Sequence, residues 1–173
     1  LLGGPQSGII VGKEKIISRI KKNPLNRALR IDKFTLASLE SVLRDYYDPE
    51  TVLKKNQTLR MISNPPEIIK KRAQKFIRRT RLKIEDHCAV RLVSTISRVG
   101  GGALPEYGLT SWAAELDPAN ISVSKLEKDF RALAVPVIGR IENERLLIDF
   151  RTVLDGEIPE LSNEVITYFD SIR

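Results

Sequence analysis

The chain has 173 residues, of which 42% are hydrophobic and 29% are charged, a composition that allows one or two folded domains and excludes a disordered protein. A single cysteine and a single histidine, Cys88 and His87, exclude an intrachain disulfide and a metal site built from four such ligands. These residues contain no apolar run near the roughly eighteen residues of a membrane span and no signal-peptide pattern. We therefore expect a cytoplasmic protein without a metal site.

The net charge of +7 is unevenly distributed along the chain. Residues 1–86 carry 20 lysines and arginines against 9 acidic residues, whereas residues 87–173 carry 9 against 13. A basic surface attracts anionic partners, which include nucleic acid, phosphorylated small molecules and acidic proteins. A lysine-rich helix is also an ordinary solvated surface, so the charge alone leaves the partner open.

The first sixty residues predict one strand followed by helices. The segment GIIVG, residues 8–12, is short, β-branched and bounded by glycines, which is typical of a buried strand. A helix should follow over residues 13–22 and end before Asn23-Pro24. A second, amphipathic helix begins at Lys33 and ends before Asp48. Its predicted apolar side consists of Phe34, Leu36, Leu39, Val42, Leu43 and Tyr46.

The remainder predicts a helix and then a repeated strand-strand-helix order. Asn64 is expected to cap a helix that begins at Pro65. The hydrophobic period then becomes alternating, which predicts strands over residues 88–97 and 109–116. The last elements are a helix with a capping box from Ser124 to Glu127, a hairpin across residues 142–144, and a closing helix over residues 159–172. This order indicates a small α+β unit with helices on one face of one sheet, and a boundary near residues 57–66.

Three segments could carry chemistry. In GGPQSG, residues 3–8, the glycines allow close backbone approach to a ligand, although a tight turn into the strand is the more ordinary interpretation of such a segment. Arg27 and Arg30 are three residues apart, so a helical turn there would direct both guanidinium groups at one anion. The glycine-rich segment from Arg98 to Pro105 could pass over a ligand or form a flexible loop. The neighbours His87 and Cys88 point to opposite faces of a predicted strand, so we expect no catalytic role for them.

The sequence resembles bacterial selenocysteine synthase, the L-seryl-tRNA(Sec) selenium transferase family. The resemblance covers nearly the whole chain and is carried by LLGGPQSGIIVGKEKIISRIKKNPLNRALRIDKFTLASLE, then TLRMI, RVGGGALP, SWAAEL and PVIGRIENERLLIDFRTVL, in that order. It implies the C-terminal part of a fold-type I pyridoxal phosphate enzyme, of mixed α/β and α+β class. Residues 1–60 would be the end of the large cofactor domain, and residues 61–173 the small C-terminal α+β domain.

The resemblance also implies roles for individual residues. The family's Schiff-base lysine immediately precedes the LLGGPQ segment, so we expect it just before Leu1 and expect residues 1–173 alone to be inactive. Arg27 and Arg30 match the family's arginine pair for selenophosphate. Weaker matches place Gly3, Gly4 and Gln6 near the pyridoxal phosphate, and Arg98, Gly100, Gly101 and Gly102 in a loop that faces the active site.

The activity implied is the conversion of seryl-tRNA(Sec) to selenocysteinyl-tRNA(Sec) with selenophosphate, in a homo-oligomer with active sites between subunits. Two alternatives remain at this point. One is a related pyridoxal phosphate lyase or transferase for a small phosphorylated amino substrate. The other is a non-catalytic module for folding or oligomerisation.

Overall fold

The computed structural model describes residues 3–99 and 107–172, and it divides the chain into two compact units, Leu1–Arg60 and Met61–Arg173. Helices account for all the regular structure described in the first unit. They are α1 (Glu14–Lys21), α2 (Leu25–Ala28), α3 (Lys33–Arg44), a 3₁₀ turn (Asp45–Tyr47) and α4 (Pro49–Lys55), and α5 (Gln57–Ser63) spans the boundary. In the described part of the chain, no helix is long and apolar enough to cross a membrane.

The strand predicted over residues 8–12 is wrong. These residues adopt no regular structure, and the side chains of Ile9, Ile10 and Val11 are 54%, 67% and 90% exposed. A strand needs a hydrogen-bonded neighbour, and every strand in the described residues pairs within the sheet of the second unit. The β-branched composition of residues 8–12 is therefore not enough to predict a strand.

Helix α3 forms where the sequence predicts it, but its predicted apolar side is not a buried face. Asp32 caps the helix, because its carboxylate accepts hydrogen bonds from the backbone N–H groups of Phe34 and Thr35 at 2.8 and 2.9 Å. Phe34 and Leu36 are nevertheless 86% and 59% exposed. The described residues of the first unit supply no opposing apolar layer that covers them.

The second unit contains a helix, four strands and two further helices. These elements are α6 (Pro66–Ile84), β1 (Cys88–Arg98), β2 (Gly108–Pro118), α7 (Val123–Arg131), β3 (Arg140–Glu142), β4 (Arg145–Asp149) and α8 (Ile158–Ser171). The strands form one antiparallel sheet in the order β1-β2-β4-β3. The predicted α+β order and single sheet are thus confirmed.

The three helices α6, α7 and α8 enclose the core against one face of the sheet. Val90 pairs with Leu116 and Leu92 with Ala114, and Ala114 and Leu116 in turn pair with Ile148 and Leu146, so these side chains share that face. The helices add the largest fully buried side chains. Among them are Ile69, Phe76 and Ile84 of α6, Leu126 and Phe130 of α7, and Val165 and Phe169 of α8.

Two predicted helix caps are corrected. Helix α6 begins at Pro66 and not at Pro65, because a residue before proline is driven out of the helical region and Pro65 itself is extended, at φ −60° and ψ 145°. Helix α7 is capped by Ser122, whose Oγ accepts from the backbone N–H of Lys125 at 3.2 Å, and not by Ser124. The earlier start lets Val123 pack against the core.

Candidate functional site

Arg27 and Arg30 lie at one exposed bend of the first unit. Arg27 belongs to the one-turn helix α2, and Arg30 follows two residues after that helix ends. Together with Lys21 they line an open depression of about 530 Å³, whose other lining residues are Asn23, Pro24 and Asn26. Both arginines thus line one depression, and Lys21 is a third cation there that the sequence analysis did not include.

The bend is shaped by local hydrogen bonds around Asn23 and Pro24. The Asn23 side-chain oxygen accepts from the backbone N–H of Leu25 at 3.0 Å, and the carbonyl oxygen of Pro24 accepts from the N–H of Arg27 at 3.1 Å. The Asn26 amide donates to the carbonyl oxygen of Lys21 at 3.4 Å. An asparagine before a proline starts a turn in this way, so residues 23–27 hold the backbone of the bend without using the cationic side chains.

The three cations of this bend are available to a ligand. Among the described residues, no carboxylate lies within 4.0 Å of the side-chain nitrogens of Lys21, Arg27 or Arg30. Arginine donates two parallel hydrogen bonds to phosphate-like or carboxylate oxygens, which makes it the preferred side chain for such anions. The bend therefore suits a small, multiply charged anion.

The glycine turn near the start of the chain has left-handed backbone geometry. Gly3 and Gly4 have φ of +84° and +77°, a region that glycine enters without steric cost. A Cβ atom on Gly3 would lie 2.7 Å from Nδ2 of Asn56, and one on Gly4 would lie 3.0 Å from Cγ2 of Val42. Packing against the chain's own side chains thus accounts for both glycines.

This turn lines a second depression, separate from that of the arginines. Gly3, Gly4 and Gln6 line it together with Pro5, Ser7, Ile9, Leu39 and Thr58. The two depressions have no lining residue in common. The glycine turn and Gln6 could form one wall for a flat cofactor, but no lysine is among these lining residues, so they supply no amine for a covalent link to it.

The segment expected to face the active site is described only in part. Arg98 is the last residue of β1, is exposed and pairs with Gly108 of β2. It lines a cleft together with Arg140 and Glu142. Gly100, Gly101 and Gly102 lie outside the described residues.

A polar network around Asp149 was missed by the sequence analysis. The carboxylate of Asp149 accepts hydrogen bonds from Oγ of Ser97 and Oγ of Ser111, each at 2.6 Å, from Nη1 of Arg140 at 3.2 Å and from the backbone N–H of Arg151 at 3.0 Å. These side chains are separated by up to 52 positions in the chain. Only the strand register could have brought them together.

Arg151 is a second residue with no sequence signal. The residue is 5% exposed. Its Nη1 lies 2.9, 3.2 and 3.3 Å from the carbonyl oxygens of Met61, Ile62 and Asn64, while Nη2 donates to that of Thr110 at 2.6 Å. Burial lowers the pKa of this guanidinium, and the nearby Asp149 carboxylate partly offsets the shift. Arg151 therefore ties the chain at the end of α5 to strand β2.

Cys88 is unsuited to nucleophilic catalysis. It is 1% exposed, and burial raises the pKa of its thiol to about 12, whereas a reactive cysteine needs an accessible thiolate. The ring of the adjacent His87 stacks on that of Phe169, with centroids 6.5 Å apart. In the described part of the chain, no three histidine, cysteine or carboxylate side chains are grouped as a metal site.

Fold and cation placement define an α+β protein with an exposed surface suited to an anionic ligand. The family model for SelA, L-seryl-tRNA selenium transferase, matches residues 1–154. The chain belongs to this family.

Individual relatives support the same assignment. The chain is 50% identical over 169 residues to the L-seryl-tRNA(Sec) selenium transferase of Desulfotalea psychrophila, covering 98% of this chain and 36% of that protein. It is 47% identical to the protein of the same name from Maridesulfovibrio salexigens, over 91% of this chain and 34% of that protein. It is 46% identical to the protein of the same name from Carboxydothermus hydrogenoformans, again over 91% of this chain and 34% of that protein. The chain thus spans about a third of the length of these curated relatives.

Proposed function

We propose that this chain is the C-terminal part of a pyridoxal phosphate-dependent enzyme that converts seryl-tRNA(Sec) to selenocysteinyl-tRNA(Sec) with selenophosphate. Family membership supports the reaction. The observation in this structure that supports it is the placement of Arg27 and Arg30, which line one depression and have no ion pair among the described residues. The reaction needs a site for a phosphate-bearing selenium donor, and these two side chains are exposed, close together in the chain and free of carboxylate neighbours among the described residues.

In this proposal Arg27 and Arg30 bind the donor's phosphate group, and Lys21 adds to the positive potential around it. Two guanidinium groups can satisfy several oxygen atoms of one tetrahedral anion, which fixes its orientation as well as its position. The bend at Asn23 and Pro24 holds the backbone, so that binding orders only the two side chains.

The glycine turn would form part of the cofactor's surroundings. Pyridoxal phosphate, when bound through a lysine, supplies the electron sink that permits loss of the seryl α-proton and side-chain hydroxyl. Gly3, Gly4 and Gln6 would provide a wall and backbone groups there. The lysine would come from the residue before Leu1, as the family resemblance implies.

Residues 1–60 would be the end of a large fold-type I cofactor domain, and residues 61–173 its small C-terminal α+β domain. Exposed apolar side chains in the first unit support this division, because a folded domain rarely leaves so many uncovered. They include Ile9, Ile10, Val11, Leu25, Leu29, Phe34 and Leu36. We propose that further chain of the large domain covers them, in a cytoplasmic homo-oligomer with active sites between subunits.

The experiment is the double substitution Arg27→Ala with Arg30→Ala in the complete protein. Loss of charged hydrogen bonds from two arginines should slow selenocysteinyl-tRNA formation on the order of a hundredfold, while the visible absorbance of the cofactor stays the same. Arg44→Ala is the matched control, because Arg44 is exposed and its ion pair with Glu40 lies within one helix. Unchanged turnover in the double variant would overturn the assignment.

Lys21, Arg27 and Arg30 could equally bind the phosphate of a small amino substrate. A related pyridoxal phosphate lyase or transferase is therefore the second candidate function. Binding of tRNA(Sec) by the complete protein, with affinity that falls as salt rises, would exclude that candidate. A non-catalytic module would be excluded by any turnover that depends on Arg27 and Arg30.

A further inference from the structure

Helix α6 carries an unusual concentration of positive charge. Its nineteen residues include eight lysines and arginines but one acidic residue, Glu67, which gives the helix a net charge of +7. The whole chain also has a net charge of +7, so the other residues together are neutral. A surface this concentrated attracts polyanions.

Six of the eight cations of α6 are exposed to solvent. The exposed ones are Lys71, Lys75, Arg78, Arg79, Arg81 and Lys83. At 100° per residue, Lys71, Lys75 and Arg78 fall within about 60° of one another around the helix, and they span about 10 Å along its axis. They form a continuous stripe, which we call the α6 basic stripe and define by these three residues.

The stripe makes no ion pair among the described residues. No carboxylate of the described residues lies within 4.0 Å of the side-chain nitrogens of Lys71, Lys75 or Arg78. The two cations nearer the core do have partners, because Lys70 lies 4.3 Å above the ring of Trp112 and Arg72 pairs with Asp155 at 3.0 Å. Like charges four residues apart, such as Lys71 and Lys75, destabilise a helix.

The apolar side of α6 excludes a lipid surface as the favoured partner. An interfacial helix inserts its apolar side into the membrane, but Ile69, Phe76 and Ile84 are each 0% exposed in the protein core. Only the charged side remains for a partner, and Leu82 is the one large apolar residue near the centre of that side, at 76% exposed. A partner that offers repeated negative charge and no apolar surface fits this stripe.

We propose that the α6 basic stripe binds the phosphodiester backbone of the tRNA substrate. This inference rests on the proposed function, which supplies an RNA substrate, and assigns a surface in the second unit to it. Lysine and arginine contacts to phosphates position a nucleic acid without reading its sequence. The stripe thus adds affinity and orientation to tRNA binding.

The test is the triple substitution Lys71→Gln, Lys75→Gln and Arg78→Gln in the complete protein, with binding of transcribed tRNA(Sec) measured across a range of salt. Glutamine keeps a high helix propensity, so far-ultraviolet circular dichroism should not change. We expect binding at least about tenfold weaker in ~0.1 M salt, and the slope of log K against log salt should fall by about two to three.

Two matched variants control for charge and for folding. The first control replaces Lys33, Lys54 and Lys128 by glutamine, which removes the same charge from exposed positions on three other helices. It should weaken tRNA binding far less than the substitution of the stripe does. The second control carries Lys71→Arg, Lys75→Arg and Arg78→Lys. It retains the charge of the stripe and should bind tRNA(Sec) as the unsubstituted protein does.

The outcomes separate this inference from the function on which it rests. If the unsubstituted protein binds tRNA(Sec) and the triple glutamine variant binds it equally well, the stripe is not an RNA surface, while the proposed function stands. If the triple glutamine variant binds tRNA(Sec) equally well but no longer sediments with phosphatidylserine vesicles, the stripe binds a membrane surface and not RNA. If the unsubstituted protein does not bind tRNA(Sec), both proposals are overturned.

Discussion

Arg72 and Asp155 form an ion pair with very unequal surroundings: the arginine side chain is 7% exposed, whereas the carboxylate 3.0 Å away is 67% exposed. Asp155 Oδ2 accepts from both Nε and Nη2 of Arg72, at 3.1 and 3.0 Å. The buried guanidinium therefore depends on a carboxylate at the surface. This contact fixes the N-terminal half of α6 to the segment that precedes α8.

Replacement of Asp155 by alanine should destabilise the protein. The substitution leaves the Arg72 charge buried without its acceptor, and we expect a loss of about 1–2 kcal/mol in the free energy of unfolding, reduced from the value for a fully buried pair because Asp155 is exposed. Chemical denaturation followed by circular dichroism measures the loss. Glu160→Ala is the control, an exposed carboxylate without an ion pair among the described residues, and a loss equal to that of the control would contradict the role given to the pair.

The glycine turn provides a stability prediction with an internal control. Gly4→Ala should cost about 1–3 kcal/mol, because alanine at φ +77° is strained and its Cβ would meet Val42 at 3.0 Å. Gly8→Ala should have little effect, since a Cβ there has no neighbour within 4 Å. Thermal unfolding of the two variants compares them directly. Equal melting temperatures would mean that the turn does not need its left-handed geometry.

The thiol of Cys88 should react only when the protein unfolds. Burial raises its pKa from the ordinary 9.0 to about 12, so the folded state holds the thiol proton more tightly than the unfolded state. This contribution to stability is fully present below about pH 9 and is lost as the pH rises from 9 toward 12. Labelling with a thiol reagent at pH 8 should follow the unfolding transition, and rapid labelling of the native protein would show that the site is open.

Asp129 should contribute to stability at neutral pH but not in acid. Its pKa is lowered from 3.8, first by the hydrogen bond from Lys125 at 2.8 Å and then by that from the Tyr168 hydroxyl at 2.7 Å. The contribution is present above about pH 3.8 and is lost as the pH falls through the lower folded value. Nuclear magnetic resonance titration should show a raised carboxyl pKa in Tyr168→Phe and a larger rise in Lys125→Gln. An unchanged Asp129 titration in both variants would contradict this cause.

Secondary structure in the second unit could be predicted from the sequence because it depends on period and local turns. The alternation in residues 88–97 and 109–116 gave two strands, and the hairpin turn at Asn143 and Glu144 has the positive φ values, 49° and 57°, of a tight two-residue loop. The exact helix starts could not be predicted from the sequence, because several residues near Pro65 and Ser122 could each serve as a cap. The packing of Val123 and the paired prolines decided between them.

The sequence likewise predicted only part of the candidate site. The spacing of Arg27 and Arg30 indicated their shared bend, since local geometry brings residues three apart together. Lys21 joined them only through the turn at Asn23 and Pro24. The Asp149 network could not be anticipated, because Ser97, Ser111 and Arg140 reach it through the register of separate strands.

The sequence by itself determined the α+β order of the second unit, the family resemblance and the arginine bend, because these follow from short-range patterns and ordered motifs. Tertiary structure alone decided which predicted apolar residues are buried. Residues 8–12 have the composition of a strand, but they remain exposed and pair with no strand of the described chain. Composition was not enough, since strand formation needs hydrogen bonds from a neighbour. Burial of Arg151 and Cys88 was likewise set by long-range packing, which no local pattern encodes.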